Sequence, residues 1–219
     1  MRSSAALNVY VGLCEISGNM AAPWLEMGYL AILVDPKHPR GVRTDGNLMI
    51  IGAKIDDPIV WSMLRMQCHH ASTAFMAAFP PCTDLAVSGA GHFEHKAHRD
   101  AGYLAKAMEI VHQCIVVGEL LGCPYLVENP VSTIATLWRE ADHSFNPCDY
   151  TAYCPDDNYT KKTMLWTGGG FVMPTHRRLE GLPSPVDRVH QISGGDRASE
   201  RSVTPLGFAR AVAAQHAPF

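Results

Sequence analysis

The sequence predicts an α/β protein built on a doubly wound, mostly parallel sheet. Short apolar runs of strand length alternate along the chain with segments whose apolar residues recur at helical spacing. Strands buried on both faces read as continuous apolar runs, and such sheets are covered by helices on each side. Polar residues and turn formers collect where the apolar runs end, which is the edge at which open α/β sheets bind ligands.

Each predicted strand is a short apolar stretch that ends at polar or turn-forming residues. The first is followed by the turn Ser17-Gly18-Asn19. The second stops at Asp35-Pro36, because proline cannot donate to a strand ladder. The predicted strands are residues 7–13, 30–34, 48–52, 72–79 and 124–127.

The predicted helices follow these strands and carry a buried and an exposed side. In the longest one, Leu104, Met108 and Val111 recur at helical spacing, with polar residues on the opposite side. Thr204-Pro205 is typical of a helix start, with a capping hydroxyl followed by a proline. The predicted helices are residues 20–27, 59–66, 100–121 and 204–215.

The last third of the chain is richer in turn formers. Residues 146–158 are rich in proline, aspartate and tyrosine, and residues 167–170 and 182–195 carry clusters of glycine, proline and polar residues. We therefore expect a single domain over residues 1–219, with an irregular, substrate-facing insertion at about 140–200.

Composition excludes several classes of protein. With 219 residues, 47% hydrophobic and 18% charged, the chain can bury a full core and is not disordered. No apolar run reaches the roughly 18 residues of a membrane span, and the start lacks the long apolar stretch of a signal peptide. Seven scattered cysteines favour reduced thiols in a cytoplasm. The net charge of −3 requires any nucleic-acid surface to be local, with Lys161-Lys162 and Arg177-Arg178 as candidates.

Two predicted strand ends carry reactive side chains. In Phe79-Pro80-Pro81-Cys82 the prolines restrict the backbone before Cys82, so its thiol can be aimed at a substrate atom. Glu128-Asn129 follows the strand predicted at residues 124–127, which places a carboxylic acid at a strand end. A nucleophile and an acid at neighbouring strand ends indicate an enzyme.

These motifs resemble the catalytic pair of the DNA (cytosine-5)-methyltransferases, most closely the compact, phage-type members that lack a large target-recognition domain. The resemblance covers most of the chain, with motifs in the family's order. It implies a Rossmann-like, S-adenosylmethionine-dependent methyltransferase fold in a cytoplasmic, phage-encoded protein that acts in a bacterial host. The motifs are Ser17-Gly18-Asn19, Asp35-Pro36, Pro80-Pro81-Cys82, Glu128-Asn129, Tyr159-Thr160-Lys161-Lys162-Thr163 and Arg201-Ser202-Val203-Thr204-Pro205.

The resemblance assigns S-adenosyl-L-methionine to the loop after the first strand, where small residues let the backbone approach a ligand. Glu15-Ile16 stands where the family usually has a further glycine. Asp35 would accept the ribose hydroxyls, its alternative role being that of a turn or capping acid. Lys54 stands near the place of an acid that receives the adenine, so Asp56 is the substitute candidate. The cofactor-binding assignments are Ser17, Gly18, Asn19, Asp35, Pro36, Asp56, Pro80 and Ser202.

The resemblance also implies the reaction, in which Cys82 adds to carbon 6 of cytosine. That addition turns carbon 5 into a nucleophile that can accept the methyl group. Glu128 would assist at ring nitrogen 3, for which its pKa should be raised, and Asn129 would support the loop or the base edge. The substrate-binding assignments are Pro81, Ser88, Lys161 and Lys162.

The substrate remains open between three possibilities, because about thirty-five residues separate Lys162 from Arg201, too few for an independent recognition domain. These are cytosine in short DNA contexts, a free cytosine nucleotide, or DNA read by a partner. A non-catalytic nucleic-acid-binding relative and a transferred group larger than methyl are further alternatives. No metal is expected, since His92, His95 and His98 match no common zinc spacing and suit an exposed turn or helix start. Nothing in the sequence specifies the oligomeric state.

Overall fold

The computed structural model describes residues 8–68, 73–187 and 203–217. Within these residues, eight strands form one sheet in the order β3-β4-β2-β1-β5-β6-β8-β7. The strands are β1 Val9–Leu13, β2 Leu30–Val34, β3 Gly41–Asp45, β4 Leu48–Gly52, β5 Thr73–Ala78, β6 Tyr125–Pro130, β7 His143–Phe145 and β8 Thr163–Gly168.

The centre of the sheet is parallel and its two flanks are antiparallel. β4, β2, β1, β5 and β6 run in one direction, while β3 pairs antiparallel with β4, and β8 pairs antiparallel with β6 and β7. The strand order reverses on either side of β1, which makes the carboxyl ends of β1 and β5 the switch point of the sheet. This confirms the predicted doubly wound, mostly parallel α/β fold.

Helices cover both faces of the sheet. Helices α2 and α4 pack on one face, against alternate strand residues such as Val11, Ile32 and Met76. Helices α1 and α6 pack on the other, where Trp24 and Phe208 are fully buried. The described α-helices are α1 Ala22–Glu26, α2 Pro58–Cys68, α3 Phe93–Arg99, α4 Tyr103–Leu121, α5 Ile134–Leu137 and α6 Leu206–His216.

Strand β3 was not predicted, because its residues are mostly polar and exposed. It forms a hairpin with β4 through Gly46-Asn47, and Gly46 has a φ of +54°. A positive φ at the first of two turn residues is the conformation that glycine supplies in tight hairpins. The Gly46-Asn47 pair was therefore the available signal for this hairpin.

The predicted irregular insertion at about 140–200 contains regular structure. Strands β7 and β8 both lie inside it and extend the sheet beyond β6. Residues 146–158, predicted as loop, form two short 3-10 helices, Pro147–Tyr150 and Pro155–Asp157, joined by loop. The first of these is buried against α6, since the rings of Tyr150 and Phe208 lie 5.3 Å apart. The insertion thus shares the core of the sheet.

The start of the last helix also differs from the prediction. Helix α6 begins at Leu206, with Pro205 preceding it in an extended conformation and without a side-chain capping bond. Thr204 is buried and does not cap the helix. Instead, its carbonyl oxygen accepts a hydrogen bond from Asn19 Nδ2 at 3.0 Å, which ties this segment to the loop after β1.

Candidate functional site

The predicted site residues gather at the carboxyl edge of four adjacent strands. β2, β1, β5 and β6 are consecutive neighbours, and they lead to Asp35, Ser17-Gly18-Asn19, Cys82 and Glu128 respectively. Neighbouring strands lie about 4.8 Å apart, so the four strand ends span about 14 Å. The topology therefore brings together residues that are up to 111 positions apart in sequence, from Ser17 to Glu128.

Cys82 is held by its own backbone in the loop after β5 (residues 79–86, the Cys82 loop). Its carbonyl oxygen accepts hydrogen bonds from the amides of Leu85 and Ala86 at 3.0 and 2.8 Å, which forms a tight turn directly after the thiol. Pro80 before it is buried and Pro81 is exposed, so Cys82 stands at the boundary between core and solvent. A partly exposed thiol on a braced backbone can reach a substrate without losing its position.

Lys96 clamps the other side of this loop. Its ammonium group donates to the Thr83 carbonyl oxygen at 2.6 Å and pairs with the Asp84 carboxylate at 2.8 Å. Lys96 belongs to α3, twelve residues beyond Asp84, and no local sequence pattern predicts this contact. The loop that carries Cys82 is thus fixed by α3 as well as by the strand that precedes it.

Glu128 lies within β6, although the sequence placed it after the strand. The parallel pairing of β6 with β5 ends at Val127, which is opposite Ala78. The antiparallel pairing with β8 continues to Pro130 and puts Glu128 opposite Leu165. Strand β8, which the sequence analysis missed, therefore extends β6 and holds the backbone of Glu128 in a regular ladder.

Burial raises the pKa of the Glu128 carboxyl group, and the nearby positive charge of Lys161 partly offsets that rise. Glu128 is partly buried, with the surrounding core desolvating its carboxyl group. A carboxylic acid with a raised pKa keeps its proton closer to neutral pH, where it can donate a hydrogen bond to a ring nitrogen. This is the electrostatic state that the sequence interpretation required of Glu128.

Asn129 joins Glu128 to the Cys82 loop. It is 1% exposed, and its Nδ2 donates to the Pro80 carbonyl oxygen at 3.0 Å. Its other polar atom, Oδ1, is buried and has no hydrogen-bond partner among the described residues. Two backbone hydrogen bonds also join the segment after β6 to this loop and to the residue that follows it, from Thr133 N to Leu85 O at 2.8 Å and from Val87 N to Val131 O at 3.0 Å.

The loop between β1 and α1 (residues 14–21, the β1 loop) has the exposed, open character expected of a ligand-binding turn. Ser17 is exposed, Gly18 has a φ of +71°, and Asn19 N donates to Ser17 Oγ at 3.3 Å. A side chain at Gly18 would meet little except Leu33, so the backbone conformation is what calls for glycine. The space beside the Gly18 backbone, where a Cβ would lie, is therefore open apart from Leu33.

Asp35 ends β2 beside this loop and is 8% exposed. Its Oδ1 accepts a hydrogen bond from the Lys37 amide at 2.7 Å, so Asp35 does act as a turn acid. A carboxylate has a second oxygen and further lone pairs, and this role does not exclude contact with ribose hydroxyls. Pro36 next to it and Asp56, in the turn between β4 and α2, are exposed at the same edge.

The predicted substrate-binding lysines differ in their surroundings. Lys161 is half-buried, and its Nζ donates to the Val203 carbonyl oxygen at 3.3 Å, while Lys162 is exposed. The carbonyl group of Val203 accepts a hydrogen bond from Lys161, and the carbonyl group of the next residue, Thr204, accepts one from Asn19 of the β1 loop. Ser88, two residues beyond the Cys82 loop, is exposed, and Ser202 lies outside the described residues.

Sequence reasoning overlooked the role of Glu15, which it noted only as a departure from a glycine-rich pattern. Glu15 is 2% exposed and lies under the β1 loop, where it binds the Tyr10 hydroxyl and two backbone amides. A charged residue directly after an apolar strand was the available signal, because carboxylates are rarely buried without partners.

The histidines near Cys82 lie on the surface, as expected. All three are exposed, with His92 at the end of the 3-10 turn before α3, His95 in the first turn of α3 and His98 in its last turn. Across residues 8–68, 73–187 and 203–217, no three ligand-type side chains are placed to hold a metal ion. In the same part of the chain, none of the helices has the length and apolar character of a membrane span.

Comparisons with known proteins give likenesses to solved structures only. No family model and no curated protein matches the chain. Among solved structures, it is similar to a protein described as a candidate DNA modification methyltransferase encoded within a prophage of E. coli, with 10% identity and a TM-score of 0.46. The match covers 87% of this chain and 49% of that one, so this chain spans about half its length. A likeness of this size does not assign a function, which has to be argued from the site.

Proposed function

We propose that the protein is an S-adenosylmethionine-dependent methyltransferase that modifies carbon 5 of cytosine through a covalent adduct with Cys82. The observation that carries this proposal is the pairing of two strand ends. A braced, partly exposed thiol follows β5, and a carboxyl group with a raised pKa lies on the neighbouring strand β6. Asn129 connects the two. The resemblance of the Pro80-Pro81-Cys82 and Glu128-Asn129 motifs to the cytosine-5 enzymes supports the same chemistry.

The reaction needs a nucleophile because carbon 5 of cytosine is unreactive towards a methyl donor. Addition of the Cys82 thiolate to carbon 6 makes an enamine, and its carbon 5 can then attack the methyl group. Loss of the carbon-5 proton and β-elimination then restore the ring and release Cys82. The turn after Cys82 and the Lys96 clamp fix the backbone, so that the sulfur approaches the ring from one direction.

Glu128 assists by stabilising charge on the ring. As the thiolate adds, negative charge develops towards ring nitrogen 3, and a protonated carboxyl group can donate a hydrogen bond there. The core around Glu128 favours the protonated form, while Lys161 opposes it. The balance between burial and Lys161 therefore sets the pH at which Glu128 can act as the acid.

The residues at the β1 and β2 ends fit S-adenosylmethionine, which would supply the methyl group. The Ser17-Gly18-Asn19 backbone is open to a ligand, and the buried Asp35 carboxylate lies at the next strand end, where ribose hydroxyls can be accepted. Pro36, Asp56 and Pro80 border the same edge, and Ser202 keeps its assignment from the sequence motif alone.

We infer DNA as the substrate, with a cytosine nucleotide as the second candidate. The exposed Lys162 and Arg177 offer local positive charge on a chain of net charge −3. A duplex substrate would require the target base to be flipped out of the stack.

The nucleotide candidate is favoured by the packing of the insertion. Gly207 N, in the last helix, donates to Asp157 Oδ2 at 2.6 Å, and Arg210 Nη1 of the same helix donates to the Tyr153 carbonyl oxygen at 3.0 Å. The described part of the insertion is thus bound to the body of the domain and does not form a separate module for reading a base sequence. Such an enzyme would either recognise a short context or accept a single nucleotide.

Mass spectrometry of nucleosides tests both candidates. The protein is incubated with methyl-labelled S-adenosylmethionine and either duplex DNA, single-stranded DNA or deoxycytidine monophosphate. We expect label in 5-methylcytosine from DNA. Label confined to the mononucleotide would establish the second candidate, and label in another base or at another atom of cytosine would refute the proposed chemistry.

A further inference from the structure

The β1 loop rests on a buried carboxyl group. Tyr10 OH donates to Glu15 Oε2 at 2.6 Å, and the amides of Met20 and Ala21 donate to Oε1 at 3.0 and 3.2 Å. The side chain of Glu15 therefore spans the loop from below, with its backbone at one end and the turn into α1 at the other. All three contacts are donors that point at the carboxyl group, which is the arrangement that suits the ionised form.

Strand β1 makes room for this carboxyl group at Gly12. A Cβ added to Gly12 would lie 2.1 Å from Glu15 Oε2 and 2.9 Å from Leu33 Cδ2, which no side chain can tolerate. Glycine inside a central strand weakens it, and its presence often marks a place where another group approaches closely. Here the group that approaches is the carboxylate of Glu15.

The backbone before Glu15 adopts an unusual conformation to place it there. Cys14 has a φ of +53° and is the one non-glycine residue with positive φ among those described. Such a conformation costs free energy for a residue with a side chain, and it persists where surrounding contacts hold it. The turn at Cys14 folds the side chain of Glu15 back towards Tyr10.

Glu15 also connects the β1 loop to the turn after β2. His38 Nε2 lies 2.9 Å from the Glu15 carbonyl oxygen, and the His38 amide donates to the Asp35 carbonyl oxygen at 3.1 Å. The residue that supports one loop from below thus contacts the neighbouring turn, which carries Asp35. Both segments belong to the cofactor side of the site in the proposed function.

We propose that Glu15 is the positioning residue of the cofactor site, holding the Ser17-Gly18-Asn19 backbone and the Asp35 turn in the arrangement that binds S-adenosylmethionine. The inference rests on the proposed function for the identity of the ligand. Glu15 acts through the loop and is not assigned a contact with the substrate or the reacting atoms.

The ionisation of Glu15 gives this role a measurable signature. Burial raises its pKa to about 7, while the hydrogen bonds from Tyr10, Ala21 and Met20 act to lower it. Among the described residues, two ionisable side chains face Glu15. Tyr10 of β1 contacts its carboxyl group, and His38 contacts its backbone carbonyl oxygen. His38 belongs to the turn that also carries Asp35 and Lys37. The ionised form accepts all three donors, so cofactor affinity should rise as the pH increases through this range.

Calorimetric titration of the full chain with S-adenosylmethionine at pH of about 6, 7 and 8 tests the inference. Glu15→Gln keeps the shape but loses the charge, and we expect it to bind roughly tenfold more weakly at pH 8 and to lose the pH dependence. Tyr10→Phe removes a hydrogen-bond donor that lowers the pKa of Glu15. The affinity of this variant for S-adenosylmethionine should therefore rise at a higher pH than that of the wild type. Glu26→Gln, a neutralisation of an exposed carboxylate at the end of α1, is the matched control and should leave binding unchanged.

The outcomes separate the inference from the proposed function. A wild type that binds no S-adenosylmethionine would refute both. A wild type that binds it, with Glu15→Gln showing the same affinity and the same pH profile, would overturn the inference alone. If Glu15→Gln fails to fold, the profile of Tyr10→Phe decides, and a profile identical to the wild type counts against the inference.

Discussion

Asn129 Nδ2 donates a hydrogen bond to the carbonyl oxygen of Pro80 at 3.0 Å, across 49 positions of sequence. This bond joins the strand that carries Glu128 to the loop that carries Cys82. It is buried, and it fixes the distance between the two groups that would act on opposite parts of one cytosine ring. The asparagine next to the acid therefore has a structural role in assembling the site.

Replacing Asn129 with alanine should loosen the connection between the strand that carries Glu128 and the loop that carries Cys82. We expect at least a tenfold loss of turnover and a loss of about 1–3 kcal/mol in the free energy of unfolding, because the Pro80 carbonyl group is left buried and unpaired. Cofactor affinity, measured by calorimetry, should change much less. Full turnover in Asn129→Ala would show that Pro80 is positioned without it.

Cys82→Ala should abolish turnover while leaving cofactor binding intact, because it removes the covalent step and little packing. A DNA or nucleotide substrate that contains 5-fluorocytosine should trap the wild type as a covalent adduct, since fluorine cannot leave as a proton. Cys148→Ala, at a buried cysteine in the insertion, is the control and should still be trapped. Peptide mapping that finds the adduct on Cys14, Cys68 or Cys148 would contradict the assignment of Cys82.

Asp35→Ala should weaken S-adenosylmethionine binding by about 1–3 kcal/mol, the usual cost of unpaired polar partners. Part of that cost reflects the turn, because Asp35 Oδ1 also accepts the Lys37 amide. Asp35→Asn retains an acceptor for that amide and serves as the matched control for the turn. Calorimetry that shows wild-type affinity in Asp35→Ala would remove this residue from the cofactor site.

The pH profile of turnover should depend on the electrostatic interaction between Glu128 and Lys161. Activity needs protonated Glu128, so turnover should fall as the pH rises through the raised pKa of this group. Lys161→Ala removes the charge that lowers this pKa, and the fall in turnover should then move to higher pH. Glu128→Gln should abolish the fall, and an unchanged profile in Lys161→Ala would contradict the coupling.

The raised pKa of Glu128 also makes the free energy of unfolding depend on pH. Because the pKa of Glu128 is higher in the folded than in the unfolded state, the folded protein binds its proton more tightly. Its contribution to the free energy of unfolding is therefore fully present below the unfolded pKa and decreases as the pH rises through the folded one. Denaturant unfolding of wild type and Glu128→Gln across this range measures the difference.

Salt dependence should distinguish a duplex from a mononucleotide. If Lys162 contacts a DNA phosphate, binding should weaken with a slope near −0.9 in log affinity against log salt for each such contact, and Lys162→Ala should reduce the slope by about one unit. Replacing Lys161 as well should reduce it by up to about two units. Arg43→Ala, on the exposed β3 at the far edge of the sheet, should leave it unchanged. A duplex turned over no faster than deoxycytidine monophosphate, at matched cytosine concentration, would favour the nucleotide.

Much of the sheet could be predicted from the sequence because the parallel strands are buried on both faces. Residues 30–34 and 48–52 were predicted with the bounds of β2 and β4, since their apolar runs stop at turn formers. Strand β3 lacks such a run, and β8 was hidden inside a turn-rich stretch whose strand character depends on pairing with β6. Local patterns thus identified the strands whose residues are buried in the core. They missed the strands that form only because they pair with a neighbouring strand.

The candidate site likewise contains features that the sequence predicts and features that only the folded chain reveals. The placement of Cys82 after β5 and of Glu128 near the carboxyl end of β6 could be predicted from the apolar runs, but the groups that hold them could not. The contacts of Asn129 with Pro80 and of Lys96 with Thr83 and Asp84 join elements that meet only in the folded chain. Glu15 was visible as a charge after an apolar strand, but its burial depends on space that Gly12 leaves in the strand below it.

In the proposed function, the adjacent carbonyl groups of Val203 and Thr204 would make substrate binding and cofactor binding energetically interdependent. One accepts Lys161, which a substrate phosphate or base would attract, and the other accepts Asn19 of the β1 loop. A ligand that draws Lys161 away therefore alters the segment that restrains Asn19, and a ligand on the β1 loop alters the segment that restrains Lys161. Thermodynamic linkage requires the two effects to be equal, so whatever factor the cofactor contributes to substrate affinity, the substrate must return to the cofactor.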